Sequence, residues 1–317
     1  MNNIKFSVIT TNYNDANFLP RNFASVEAQT YNNYEHILVD DCSTDESISV
    51  INGYINSNSN ASLFFHDHNL GPAAGVGTGI SKSTGTFSTF LSADDELDPF
   101  ALENINKIVI NDINAKLICG DVIFVDPDGN QFKRSFFRSD APIYFSPEKV
   151  KDLMRKGVFI INGGGSFVNI AKLIRTPFND PFLEWHCDSF AYSMIGLIEG
   201  FWYVPSTLHK FYIRQNNFSL GAKIWSEQKH VIKHSLDLLD SSKYCNLKEL
   251  FKESSFFASY PHILKFLFLN YKSYSDFLTF NLFINALIIS TLRNFRKIFP
   301  RFFINYYNNI KSFTWKK

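Results

Sequence analysis

Four acids fall within five residues in the stretch FLSADDELDP (90–99), directly behind an apolar run. Asp94, Asp95, Glu96 and Asp98 repel one another, so folding alone gives little reason to gather them. Two adjacent carboxylates at a strand end make a hard-oxygen site suited to Mg2+ or Mn2+. Such ions keep several waters and take one or two carboxylates together with substrate phosphates. The competing account is a helix start: DDELDPFALENI sets acids before an apolar helical run, where they favour the helix dipole. Both hold if Asp98 and Glu103 serve the helix and Asp94 and Asp95 serve a cation.

A second acidic pair lies in LVDDCSTDES (38–47). Ser43, Thr44 or Asp45 can cap the helix that follows, which leaves Asp40 and Asp41 ahead of the cap at a strand end. A third set, Glu184, His186 and Asp188, falls within PFLEWHCDSFAY (181–192). A carboxylate there could act as general base on a hydroxyl, or the set could simply open a helix. His186, Cys187 and Asp188 make a poor zinc set, because consecutive side chains do not converge. Between these sets, NLGPAAGVGTGISKSTG (69–85) imitates two phosphate-binding motifs and satisfies neither. A dinucleotide fingerprint needs GxGxxG after the first strand, and a P-loop needs a glycine before Lys82. A small-residue helix lying close on a sheet accounts for it better.

The elements that must position these residues follow from periodicity. Phe6–Thr10, YEHILVDD, SLFFH and GTFSTFLSADD read as strands, while residues 17–30 and DESISVINGYINS read as helices. Alternation of this kind predicts βαβ units and an α/β domain with a mostly parallel sheet. Ligands of such sheets bind beyond the carboxyl ends of the strands, which is where both acidic pairs stand. From about 100 to 220 the pattern is mixed, and beyond Gly221 it is helical.

Charge divides along the same boundary. Residues 1–220 carry 16 basic and 24 acidic side chains, whereas residues 221–317 carry 15 and 6. Cys42, Cys119, Cys187 and Cys245 are widely spaced, which argues against a zinc ribbon or a disulfide framework and fits a reducing compartment. The opening MNNIKFSVITTNYN enters a strand at once, so a cytoplasmic chain without a signal peptide is expected.

Taken in order, SVITTNYNDANFL, ASVEAQTYNNYEHILVDDCSTDES, HNLGPAAGVGTGISKSTGTF, FLSADDELDP and LEWHCDSF resemble the family 2 glycosyltransferases over about residues 4–215. The resemblance implies a GT-A type, Rossmann-like nucleotide-diphospho-sugar transferase domain at 1–220 with a helical extension at 221–317. It implies nucleoside contacts from Thr11, Tyr13, Asp41 and Asp94. It also implies a divalent cation, Mn2+ or Mg2+, on Asp95 helped by Asp94, and Asp188 as the base of an inverting displacement. Glu184 and His186, with Gly164 and Gly165 in the NGGGSF run, fall where acceptor-side loops occur. The chain departs from the family pattern at Ser92, where many members carry a further acid, and at Val76-Gly77, where many carry Arg-Asn.

The implied donor is a nucleotide sugar, UDP-linked, giving up a hexosyl or N-acetylhexosaminyl group. The implied acceptor is a glycan or lipid-linked hydroxyl in surface polysaccharide or glycolipid synthesis. The alternative is a non-catalytic nucleotide-sugar-binding or scaffold protein of the same fold. Residues 261–317 mix apolar, aromatic and basic side chains, and the last 25 hold seven basic residues and no acid. That composition suits either a membrane interface, making the enzyme peripheral on the inner face of the plasma membrane, or a helical bundle. Nothing in it forms a nucleic-acid-binding motif.

Overall fold

The computed structural model describes residues 4–156, 163–214 and 224–298, with side chains as far as 291. The first hundred residues alternate as the periodicity predicts. Strands β1 (Phe6–Asn12), β2 (Tyr34–Asp40), β3 (Ala61–Phe65) and β4 (Phe87–Ser92) are joined through helices α1 (Leu19–Glu27), α2 (Ser47–Ser57) and α3 (Pro72–Lys82). There follow β5 (Glu96–Leu97), α4 (Ala101–Asn111), β6 (Leu117–Val125), β7 (Gln131–Arg134), β8 (Ile143–Phe145) and α5 (Pro147–Arg155). Next come β9 (Ser166–Asn169), α6 (Ile170–Leu173), α7 (Cys187–Glu199) and β10 (Phe201–Tyr212). Helices α8 (Trp225–Asp240), α9 (Lys248–Ser254), α10 (Ile263–Leu269), α11 (Tyr271–Tyr274) and α12 (Phe280–Ile298) complete the described chain.

The strands form one sheet in the order β3-β2-β1-β4-β9-β6-β10-β5, with β7 on β6 and β8 on β10. Pairing is parallel from β3 through β4 and between β6 and β10; β9, β5, β7 and β8 run antiparallel to their neighbours. Register sets Thr11 beside both Val39 and Ser92, and Asn12 beside Asp40. The carboxyl ends of β1, β2 and β4 therefore share one edge, the place where α/β sheets bind ligands.

Phe6 and Val8 of β1, Phe87 and Leu91 of β4, and Leu102 and Ile105 of α4 join one buried cluster. On α3 the glycines explain themselves. A Cβ at Gly75 would come 2.9 Å from Thr11 Cγ2, and one at Gly79 would run into Ile9 Cγ2. The Gly-rich segment is a helix whose small residues let it lie against β1, as expected from its sequence.

The chain forms two compact units, one of β1–β10 with α1–α4, α6 and α7, the other of α5 with α8–α12. Helix α5 thus belongs with the helical unit although it lies in the middle of the sequence. Its Lys151 pairs with Glu253 of α9 at 2.7 Å. No local signal marks this, since α5 reads like any amphipathic helix. Aromatic rings fill the second unit: Phe251, Phe256, Phe257, Tyr260 and Phe277 are buried in edge-to-face and tilted contacts. Among the described residues no helix is long and apolar enough to cross a membrane. The basic, aromatic sequence after Ile298 lies outside them.

Candidate functional site

The turn after β4 separates the four acids of FLSADDELDP. Asp95 is turned inward and only 4% exposed. Its Oδ1 accepts the Tyr212 N–H at 2.9 Å, and its Oδ2 lies 3.2 Å from Nε2 of the fully buried His209. Asp94 faces the other way, with Oδ2 2.9 Å from Nη1 of Arg214, whose Nη2 reaches Asp15 at 2.7 Å. Burial and the neighbouring Asp95 raise the Asp94 carboxyl above its ordinary range, and Arg214 works against that rise. Glu96 lies in β5 opposite Lys210 of β10, and its carboxylate meets Arg21, Lys210 and the Tyr212 hydroxyl. It belongs to the sheet edge, not to the helix that the sequence suggested. Asp98 lies just ahead of α4, where it accepts the N–H of the cap residue Phe100 at 3.0 Å, and Glu103 stands in the helix's first turn.

At the ends of β1 and β2, Asp40 and Asp41 also divide. Asp40 ties Asn12 to Ser43, accepting from both side chains and from the Ser43 N–H. Asp41 accepts the Leu70 and Gly71 N–H groups at 2.8 and 2.7 Å and contacts His66 Nδ1 at 2.7 Å. Nε2 of His66 in turn meets the Thr78 hydroxyl at 2.8 Å. Three of the four acceptor positions of the Asp41 carboxylate are therefore filled by the chain, and the residue is only 5% exposed. Gly71, with φ of +84°, lets the backbone fold back onto this carboxylate just before α3 begins. Tyr13 beyond β1 is 47% exposed, and Thr11 is partly covered by α3.

Asp188 lies in the first turn of α7, where the N–H groups of Ser189 and Gly163 reach its carboxylate. Burial nevertheless pushes its pKa up to about 6. Glu184, with φ of +44°, sits in the kinked 3-10 segment Pro181–His186 leading into α7, and His186 forms the junction. The glycine run packs closely against side chains of the same unit. The Asp188 carboxylate fills the space a side chain would need at Gly163. A Cβ at Gly164 would come 2.7 Å from His209 and 2.6 Å from Phe211, and one at Gly165 2.6 Å from Val122. The close approach is to the chain's own side chains. It links Asp188 through Gly163, Gly164 and His209 to Asp95.

The sequence model of glycosyl transferase family 2 matches residues 7–175, more than half of the chain. The chain belongs to that family. An uncharacterized glycosyltransferase of Haemophilus influenzae is 38% identical over 133 residues, covering 42% of this chain and 53% of its own length. One from Nostoc is 36% identical over 105 residues, covering 33% of each chain. The matches span about half or less of these curated relatives. A crystal structure of S. aureus TarS 1-349 in complex with UDP-GlcNAc superposes with a TM-score of 0.62 at 14% identity, covering 90% of this chain and 79% of that one. The likeness places the sheet and its flanking helices in the GT-A fold.

In this family 2 glycosyltransferase the edge formed by β1, β2 and β4 gathers Thr11, Asp41 and Asp94, while Asp188 stands at the start of α7. Three residues of the site escape the sequence patterns. His209 and Tyr212 anchor Asp95, and Arg214 bridges Asp15 to Asp94. All three come from β10 or the residues directly after it. The only sequence signal is the basic and aromatic crowding of HKFYIR, which has no fixed spacing.

Proposed function

We propose that the chain is an inverting transferase that moves a sugar from a UDP-linked donor to an acceptor hydroxyl. The observation that carries the reading is the separation of two carboxylates: Asp94, partly exposed beside the strand ends and paired with Arg214, and Asp188, of raised pKa, at a helix start. The nucleoside would lie along the ends of β1 and β2, with Tyr13 exposed for stacking and Asp41 close by at the end of β2. That a TarS structure holds UDP-GlcNAc in the same fold supports a UDP-sugar as donor. Ionised Asp188 takes the proton of the acceptor hydroxyl. The freed oxygen then attacks the anomeric carbon as the bond to the diphosphate breaks, inverting the configuration.

Among the described residues no three His, Cys, Asp or Glu side chains converge on one point. A Mg2+ or Mn2+ ion that takes one carboxylate and completes its shell with water and phosphate oxygens needs no such cluster. We assign it to Asp94 in preference to Asp95, the residue the family resemblance favours, because the Asp95 oxygens already serve Tyr212 and His209. When bound, the cation supplies charge neutralisation for the departing diphosphate.

A panel of nucleotide sugars, incubated with Mn2+ and assayed for hydrolysis, tests the donor. Release of UDP from at least one is expected. Turnover of none, with no thermal shift from UDP, would sink the reading and leave a non-catalytic scaffold.

The acceptor belongs to surface glycan synthesis and is lipid-linked in this reading. Phe280, Ile284, Leu287 and Ile288 recur along α12 as exposed apolar side chains, Phe280 at 79%. The sequence that follows is basic and aromatic. Apolar and basic groups together suit a headgroup interface. Sedimentation with vesicles of anionic lipid is expected to carry the full chain down. Phe280→Glu with Leu287→Glu should cut the bound fraction severalfold, and an unchanged fraction would refute membrane attachment.

A further inference from the structure

Arg214 occupies the place where a cation would approach Asp94. One edge of its guanidinium is on Asp94 Oδ2 at 2.9 Å and the other on Asp15 Oδ1 at 2.7 Å. Its Cζ lies over the Phe18 ring, 4.5 Å from the ring centre. Asp15 and Phe18 belong to the loop after β1, and Asp94 to the turn after β4. The arginine therefore closes the gap between the two strand ends where the diphosphate of the proposed donor would lie. It is held firmly there but not buried, being 37% exposed.

We infer that Arg214 is a positioning residue that shields Asp94 until the donor arrives and then transfers its guanidinium to the diphosphate. The inference rests on the donor and cation reading given above. A divalent cation on Asp94 must compete with Arg214 for Oδ2, the oxygen the guanidinium already holds at 2.9 Å, and the nearby Asp15 and Asp95 carboxylates offset only part of the repulsion between cation and guanidinium in a partly buried site. The cation alone is thus disfavoured. A nucleoside diphosphate changes the balance, because its oxygens give the guanidinium a planar, bidentate partner and leave Asp94 to the cation. Cation and nucleotide then bind cooperatively, and linkage requires each to strengthen the other by the same factor. Free Mn2+ is kept off the enzyme, and a cation joins only a site already carrying diphosphate. The surrounding contacts fit such a transfer. Asp15 retains a hydrogen-bonding position for one edge of the fork while the other edge moves, and Phe18 supports the guanidinium in either place.

The experiment measures Mn2+ binding by electron paramagnetic resonance, with and without UDP, in the full-length chain and in R214Q and R214K. In the wild-type chain UDP is expected to tighten Mn2+ binding by about tenfold or more, within the usual range of coupling between sites. R214Q should bind Mn2+ alone about tenfold more tightly than wild type and lose most of the enhancement by UDP. R214K keeps the charge, and should hold Mn2+ alone near the wild-type affinity. That difference separates charge competition from a loss of structure, which both variants would share. Equal Mn2+ affinity of wild type and R214Q without UDP would overturn the inference. So would UDP binding in which Mn2+ takes no part in either protein. If the wild-type chain binds no UDP at all, the donor reading itself fails and takes this one with it.

Discussion

Asp188→Asn should leave UDP binding within about twofold of wild type while lowering the rate of transfer by about 10²–10⁴, the range expected for loss of a general base. Asparagine keeps the shape of the side chain and still presents one oxygen to the Ser189 N–H, so the first turn of α7 is kept. What it loses is the capacity to take a proton. The pH profile provides a second test of the same residue. Burial raises the Asp188 pKa to about 6, against the pull of the Ser189 and Gly163 N–H groups. A base must be ionised, so the wild-type rate should fall as pH drops through about 6, and the residual rate of the variant should not follow it.

Stability should move in the opposite sense. A carboxyl whose folded-state pKa exceeds its unfolded value of about 3.9 binds its proton more tightly when folded. Its contribution to stability is fully present below about pH 4 and is lost as pH rises through about 6. At pH 8 the wild-type chain holds an ionised carboxylate in a site that disfavours it, and Asp188→Asn does not. The variant should therefore melt at a higher temperature than wild type at pH 8, with the gap narrowing at pH 5. Such an exchange of stability for activity is what a buried base implies. Normal transfer by Asp188→Asn would pass the role to Glu184, the next carboxylate in the kinked segment.

Periodicity made the first half of the chain legible, because strands buried on both faces and amphipathic helices repeat with different periods. The Gly-rich helix could be read because its segment fails both phosphate-binding motifs, and Gly75 and Gly79 meet one strand. Long-range pairing was not legible. Asp15 and Arg214 are separated by almost the length of the catalytic unit, and nothing near either residue announces the other. Glu96 looked like part of a helix start because acids commonly precede helices. Only the two-residue pairing of β5 with β10 assigns it to the sheet. The glycine run illustrates the limit best. Sequence can say that a backbone must be approached closely, but not whether the visitor is a substrate or, as at Gly163 and Gly164, the chain's own Asp188 and His209. Direction is likewise hidden in an adjacent pair, since two neighbouring carboxylates in a turn can face opposite ways.

That last point yields the sharpest contrast. Asp94→Ala and Asp95→Ala, one residue apart, should fail differently. Asp95 is buried and accepts from Tyr212 N–H and His209, so its removal strands both donors away from water. The expected cost is about 2–3 kcal/mol of folding stability, read from the midpoint of a urea titration. Asp94 is more open and forms a partly exposed pair with Arg214, and losing it should cost under about 1 kcal/mol. Function should show the reverse order. Asp94→Ala should lose the enhancement of UDP binding by Mn2+ by about tenfold or more, as expected when the protein's one ligand to a water-rich cation is removed. Asp95→Ala, assayed at a temperature where it stays folded, should keep most of it. Retention of the Mn2+ response in Asp94→Ala would refute the assignment. If Asp95→Ala instead keeps its stability and loses the response, then Asp95 must release Tyr212 and His209 when the donor binds, and the two aspartates exchange roles.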